Sequence, residues 1–224
     1  MLPVRPDGLL VIPLRGVVFD LDGTLGDTLP ATFAAFRAVF AARLGRHFAD
    51  REIRAMFGPD ERGVFLRHLP HEADAALDDF LAEYERLQMR SAGPFDGVVT
   101  LLDTLRDRGV ACAVVTGKGA QSADLTLRLL GLRDYFPIVE AGSPDGAVKE
   151  AGMRRVLERW GTDPAAVAGV GDAPSDVRCA RAVGMHALAA AWAPATDAAA
   201  LRSLEPDALF AHVREAHDWL VSRL

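Results

Sequence analysis

The apolar run that ends in two aspartates, at residues 17–22, constrains this fold most. Val17–Phe19 leads into Asp20 and Asp22, and Gly23 follows. A short run rich in β-branched residues and closed by a glycine predicts a buried parallel strand. Side chains two apart in an extended chain point the same way, so both carboxylates can face one pocket. At the carboxyl edge of an α/β sheet, such a pair suits a nucleophile beside a general acid/base, a hard-cation site, or both.

Strand and helix patterns alternate along most of the chain. Apolar strand patterns occur at 110–115, 138–139, 167–170 and 186–190. Helical patterns occur at 122–130, 153–160 and 175–183, the last with Ser175 as its predicted cap. Helices that alternate with buried strands predict an α/β fold with a doubly wound parallel sheet.

The interval 28–91 interrupts this alternation. It contains helical patterns but no strand pattern, at 31–44, 51–57 and 72–89. Roughly 60 residues is more than one crossover helix requires, and Gly93-Pro94 marks the return to the sheet. We therefore predict an all-helical cap domain at 28–91, inserted into an α/β core domain that comprises 1–27 and 92–224.

Composition and charge argue against several classes of protein. The 224 residues are 50% hydrophobic and 25% charged, which is ordinary globular usage. The net charge is -6 and basic residues form no cluster, so we expect no nucleic-acid partner. No apolar stretch approaches the roughly 20 residues of a membrane span, so we expect no membrane partner either.

The first 14 residues and the cysteines bear on location. An apolar patch at 9–12 is flanked by Pro3, Pro6 and Pro13 and lacks a small-residue cleavage site, which argues against a signal peptide and predicts an N-terminal extension. Cys112 and Cys179 lack metal-ligand spacing and are predicted to be buried thiols. We expect a cytoplasmic protein, as a monomer or a homodimer.

Four short motifs follow one another in a fixed order. They are D-L-D-G-T-L at 20–25, V-V-T-G at 114–117, Lys149, and G-D-A-P-S-D at 171–176. Together they resemble the signature of the haloacid dehalogenase (HAD) superfamily, whose members are mostly phosphatases. The resemblance covers nearly the whole chain, and the helical block is similar to the cap of the phosphoglycolate phosphatase-like group.

The resemblance implies distinct roles for the paired aspartates. Asp20 would attack phosphorus and form an aspartyl-phosphate. Asp22 would protonate the departing alkoxide and then take a proton from the hydrolytic water. For the first step Asp22 must be protonated, and for the second it must be ionised.

The resemblance also implies a Mg²⁺ cofactor. Asp20, the carbonyl of Asp22 and Asp172 would hold the ion, and Asp176 would orient its ligands or waters from behind. Spacing alone allows another role for Asp172 and Asp176, because either could cap the helix predicted at 175–183.

Phosphate binding is assigned to two further segments. Thr116 would supply a hydroxyl donor and the turn at Gly117 free backbone N–H groups. Lys149 would supply the fixed positive charge. Many relatives have Lys-Pro here, whereas this chain has Lys149-Glu150, so Lys118 stays open as the alternative phosphate-binding lysine.

In the cap, the segment 57–62 resembles the loop that faces the substrate in phosphoglycolate phosphatase-like enzymes. Arg62 would bind a substrate carboxylate or second anion. The sequence is equally consistent with Arg62 as a solvent-exposed helix residue.

The function that these residues predict is a Mg²⁺-dependent phosphatase that acts on a small soluble phosphate monoester, with phosphoglycolate as the family-level candidate. A haloacid dehalogenase lacks the second aspartate, so Asp22 argues against it. A β-phosphoglucomutase-like mutase shares every core residue and stays an alternative. A phospho-accepting receiver domain would be about half this length and would have no helical insertion.

Overall fold

The computed structural model describes residues 12–90 and 93–224. Most of the predicted N-terminal extension and the predicted domain boundary at 91–92 lie outside these residues. The strands run over β1 Gly16–Phe19, β2 Ala111–Val115, β3 Ile138–Glu140, β4 Val167–Gly171, β5 His186–Ala190 and β6 Ala208–Phe210. The helices run over α1 Leu29–Leu44, α2 Asp50–Arg54, α3 Glu61–His68, α4 Ala73–Gln88, α5 Val98–Asp107, α6 Ala120–Leu129, α7 Lys149–Trp160, α8 Pro174–Ala182, α9 Ala198–Arg202 and α10 Val213–Val221.

The described strands form one sheet in the order β3-β2-β1-β4-β5-β6, and each neighbouring pair is parallel. Phe19 of β1 is in register with Val114 of β2 and Val170 of β4. The residues that follow these three strands therefore leave the sheet side by side at its carboxyl edge. The chain continues to one side of β1 through β2 and to the other through β4, so this edge is a topological switch point.

Strand side chains alternate between two buried faces. Val17 and Phe19 pack in the cluster that α5, α6 and α10 cover, whereas Val18 packs in the opposite cluster with α7 and α8. Helices on both faces confirm the predicted doubly wound α/β fold.

Helices α1 to α4 have a hydrophobic cluster of their own. Phe36 lies at its centre, with its ring centroid 4.7 Å from that of Phe80 and 5.3 Å from that of Phe65. These helices form the inserted helical cap, while its exact bounds at 28–91 stay a prediction.

Several elements differ from the sequence-based predictions. Helices α3, α5, α9 and α10 and strand β6 were not predicted, and α2 ends at Arg54 rather than near residue 57. The prediction that Ser175 caps α8 was wrong. This helix begins at Pro174, whose fixed backbone suits a first helical position, and the Asp176 carboxylate accepts a hydrogen bond from Ala173 N at 3.0 Å.

Both cysteines are free; Cys112 is buried, and burial raises the pKa of its thiol to about 12. Cys179 is half-buried rather than fully buried. Within 12–90 and 93–224, the helices are too short or too polar to cross a membrane.

Candidate active site

Asp20 follows β1 directly and is anchored in the sheet by its backbone, because Asp20 N donates to Val170 O at 2.9 Å. The chain then turns at Gly23, whose φ of +77° is the left-handed conformation that glycine adopts most easily. A Cβ at Gly23 would lie 2.3 Å from Asp172 Oδ2. Glycine here therefore makes the turn and lets the Asp172 carboxylate approach Asp20.

Three carboxylates meet at this edge. Asp20, Asp172 and Asp176 each offer an oxygen, and these oxygens all lie within 4.8 Å of one another. Gly171 permits the approach of Asp176, since a Cβ at Gly171 would lie 2.4 Å from that side chain. The structure thus brings together three of the predicted site residues from the ends of β1 and β4.

Lys149 spans this cluster. Its Nζ lies 2.8 Å from Asp20 Oδ1 and 2.6 Å from Asp176 Oδ1. The cation comes from the first residue of α7, so the helix fixes its position relative to the sheet.

Buried like charges perturb the acids of the cluster. Burial raises the pKa of Asp20 well above its usual value, with Lys149 opposing and Asp176 adding to the shift. Burial, reinforced by Asp176, raises the pKa of Asp172 to about 7. Desolvation alone would lower the pKa of Lys149, but Asp176 and Asp20 outweigh it and the pKa is raised. One ammonium therefore serves three crowded carboxylates, and this excess of hard oxygen donors fits a divalent cation such as Mg²⁺.

Asp22 lies outside that carboxylate group and has different partners. Its Oδ1 accepts a hydrogen bond from Thr28 Oγ1, and the same oxygen lies 3.5 Å from Lys118 Nζ. The side chain is 17% exposed, so it borders the cavity without being sealed in. The two paired aspartates thus point into one cavity but belong to separate networks.

The segment after β2 forms the third wall. Lys118 N donates to Thr116 Oγ1 at 3.2 Å, which holds the Thr116 hydroxyl in the turn. Thr116 and Gly117 both line the cavity. Lys118 is buried, and although desolvation lowers its pKa, the charge of Asp22, followed by Tyr84 and Glu61, raises it overall. The two lysines form ion pairs with different aspartates of the pair that follows β1. Lys149 pairs with Asp20, and Lys118 pairs with Asp22.

A cavity of about 600 Å³ lies between the sheet edge and the cap. The cap side contributes apolar side chains, among them Phe36, Phe57 and Val64, together with the guanidinium-bearing Arg54. Such a mixture of apolar walls with a few polar groups is usual for small-molecule sites.

Arg62 is a predicted site residue that lines neither this cavity nor the carboxylate cluster. Its Nε pairs with Asp74 at 2.8 Å, and its side chain is 42% exposed in a shallow groove elsewhere on the cap. Glu61, one residue earlier, lines the cavity instead and hydrogen-bonds the core at Gly119 N and Ser122 Oγ, both at 2.7 Å.

Sequence reasoning did not identify Arg54 or Glu61 as site residues. Both belong to cap helices whose rotation relative to the sheet no local pattern specifies. The sequence did contain one signal for the start of α3, because Asp60 is a typical N-cap residue. In the structure its side chain accepts a hydrogen bond from Gly63 N at 2.8 Å.

Comparisons with known proteins identify the family and the fold that this chain resembles. Residues 17–190 match the family described as haloacid dehalogenase-like hydrolase. The phosphoglycolate phosphatase of Xylella fastidiosa (strain 9a5c) is 34% identical over 185 residues, which cover 80% of each chain. The phosphoglycolate phosphatase of Synechococcus elongatus is 32% identical over 193 residues, covering 80% of this chain and 84% of that one. A crystal structure of a predicted phosphatase from Clostridium acetobutylicum superposes with a TM-score of 0.75 at 22% identity, over 93% of this chain and 99% of that one.

Proposed function

This chain belongs to the haloacid dehalogenase-like hydrolases, and we propose that it is a Mg²⁺-dependent phosphatase that cleaves a small phosphate monoester through an aspartyl-phosphate on Asp20. The observation that carries the proposal is the convergence of Asp20, Asp172 and Asp176 with Lys149 at the ends of adjacent strands. Lys149 contacts two carboxylates of this cluster, Asp20 and Asp176. Of these two, Asp20 also lines the cavity.

In the first half-reaction, an oxygen of Asp20 attacks phosphorus and the ester P–O bond breaks. Asp22 gives its proton to the departing alkoxide, so the leaving group departs as a neutral alcohol. In the second, water attacks the same phosphorus and gives a proton to Asp22, and the bond to Asp20 breaks to release phosphate. The separate networks of the two aspartates support this division of roles.

Asp20, Asp172 and the carbonyl of Asp22 would hold Mg²⁺, with Asp176 orienting this set while it binds Lys149. The ion would supply charge that neutralises the phosphoryl oxygens and the acids around them. Lys149 contributes the fixed positive charge of the protein beside Asp20. The Thr116 hydroxyl and the backbone at Gly117 provide hydrogen-bond donors for the remaining phosphoryl oxygens.

Phosphoglycolate is the first substrate to test, because the two relatives described above are named phosphoglycolate phosphatases. Its carboxylate needs a cation on the cap side. Arg54 lines the cavity whereas Arg62 pairs with Asp74 elsewhere, so Arg54 is the better placed of the two to select an anionic substrate.

The test is release of inorganic phosphate from a panel of phosphate esters, with and without Mg²⁺. The panel contains phosphoglycolate, sugar phosphates and p-nitrophenyl phosphate, and product analysis of the sugar phosphates separates hydrolysis from mutase activity. We expect Mg²⁺-dependent release that Asp20→Asn abolishes. Turnover that survives this substitution, or that needs no divalent cation, would contradict the proposal.

Two matched cap variants then test substrate selection. We expect Arg54→Ala to lower kcat/KM for phosphoglycolate much more than for p-nitrophenyl phosphate, which has no carboxylate. Arg62→Ala is the control, with a smaller change in that ratio. The opposite ranking would restore the sequence-based assignment to Arg62.

A further inference from the structure

Lys118 is a buried cation that links the core to the cap. It belongs to the core segment after β2, yet most of its partners come from cap helices. Its Nζ donates to Thr32 Oγ1 at 3.2 Å, lies 4.4 Å from the centre of the Tyr84 ring, and pairs with Glu61 Oε1 at 3.7 Å. The fourth contact is Asp22 Oδ1 in the core, at 3.5 Å.

A buried ammonium is costly unless it is paired, and here the pairing depends on the cap. Glu61, Thr32 and Tyr84 lie on α3, α1 and α4, so separation of cap and core would remove three of the four contacts that Lys118 makes among the described residues. Lys118 would then be held by Asp22 alone, and nothing else in the described residues would fix the position of its ammonium.

The residue type also singles out this position. Of the 25 basic side chains in the sequence, only Lys118 and Lys149 are lysines. Both are buried or nearly so at the cavity, where each pairs with one of the two aspartates that follow β1. A compact ammonium can take a ring face and oxygen ligands from several directions at once, which a planar guanidinium cannot reproduce.

Glu61 completes the link from the cap side. Its carboxylate accepts from Gly119 N and Ser122 Oγ and pairs with Lys118, so all three of these partners belong to the core. Asp60 N also donates to Ser143 O at 2.9 Å, which seats the same end of α3 on the loop after β3.

We propose that Lys118 is a positioning residue that makes the orientation of Asp22 depend on a seated cap. The Thr28 hydroxyl and the Lys118 ammonium both contact Oδ1 of Asp22. Its Oδ2 is then the oxygen that exchanges the proton with the leaving group and the water. The Asp22 carboxylate is thereby held in its working orientation only when Glu61 and its neighbours hold Lys118. This inference rests on the proposed function, in which Asp22 is the general acid.

The test is the dependence of kcat/KM on the leaving group, since this ratio reports the steps up to departure of the alcohol. An alkyl phosphate needs protonation of its leaving group, whereas p-nitrophenyl phosphate does not. We expect Lys118→Met to lower kcat/KM for the alkyl ester by at least about tenfold more than for the aryl ester, because a misplaced general acid forfeits part of a ~10²–10⁴-fold contribution. Glu61→Gln should also lower kcat/KM more for the alkyl ester than for the aryl ester, but by a smaller factor.

Ser122→Ala is the matched control, because it removes a hydroxyl donor to Glu61 but leaves Lys118, Glu61 and Asp22 in place. It should change both esters by the same factor. Equal losses on both esters in Lys118→Met and Glu61→Gln would overturn the proposal and indicate a role in binding the phosphoryl group or in folding. If Lys118→Met does not fold, Glu61→Gln decides alone.

Asp22→Asn separates this proposal from the function on which it rests. It should show the largest difference between the two esters. If Asp22→Asn shows that difference and the Lys118 and Glu61 variants do not, the coupling fails while the function stands. If Asp22→Asn treats both esters alike, the assignment of the general acid fails.

Discussion

Gly63→Ala should separate activity from stability, because Gly63 lies where the cap rests on the core. A Cβ at this position would lie 2.4 Å from the backbone oxygen of Pro144 and 2.6 Å from Pro59 Cβ. A backbone oxygen cannot rotate away, so α3 and the loop after β3 must separate by more than half an ångström. Crowding of this kind costs about 1–3 kcal/mol. If the seated cap is the active arrangement, kcat/KM should fall by about fivefold to 150-fold.

The same substitution favours α3 itself. Alanine is preferred to glycine within a helix by about 1 kcal/mol, which offsets part of the crowding cost, so the free energy of unfolding should fall by at most about 2 kcal/mol. Gly45→Ala is the control, in which a similar loss of stability should leave activity unchanged. Gly45 ends α1 at a φ of +62° with open space around its Cβ position, so alanine should cost about 1 kcal/mol of stability and leave kcat/KM unaltered. Urea unfolding and steady-state kinetics measure both effects. Normal kcat/KM in a stable Gly63→Ala protein would refute the requirement for a seated cap.

Two further predictions concern the carboxylate cluster. Asp172→Ala should raise the Mg²⁺ concentration for half-maximal activity more than Asp176→Ala does, because both Asp176 oxygens already bond protein groups, at Lys149 Nζ and Ala173 N. Activity titrations after EDTA treatment measure this, and full activity without any divalent cation would exclude the metal. Lys149→Met should lower kcat by at least ~10²-fold, since it removes charge that stabilises the transition state beside Asp20. A loss confined to KM would instead indicate uniform binding of substrate.

The sheet and its acidic edge could be predicted because their signals are local. Apolar runs followed by aspartate or threonine determine where β1, β2 and β4 end, and parallel packing then brings those ends together. Strand β6 was missed because Ala208–Phe210 is a three-residue edge strand with no alternating pattern long enough to recognise.

The cap side of the site could not be predicted in the same way. Successive residues on a helix point about 100° apart, so an unrecognised start of α3 leaves the facing residue undetermined. The sequence-based assignment favoured Arg62, whereas the structure turns Glu61 toward the core and Arg62 toward Asp74. Likewise Lys118 was considered only as an alternative phosphate-binding lysine, because its cap partners are distant in sequence and depend on packing.

The central claim is that Asp20 carries the phosphoryl group during turnover, and trapping it tests the claim most directly. Asp22→Ala should be mixed with p-nitrophenyl phosphate and Mg²⁺, because this ester forms the phosphoenzyme without a general acid but the intermediate then lacks its general base. Acid quenching and peptide mass analysis should find one added phosphoryl group on Asp20, and none when Asp20→Asn is combined with Asp22→Ala. Burst release of p-nitrophenol with Asp20 unmodified, or with the phosphoryl group on another residue, would contradict the account.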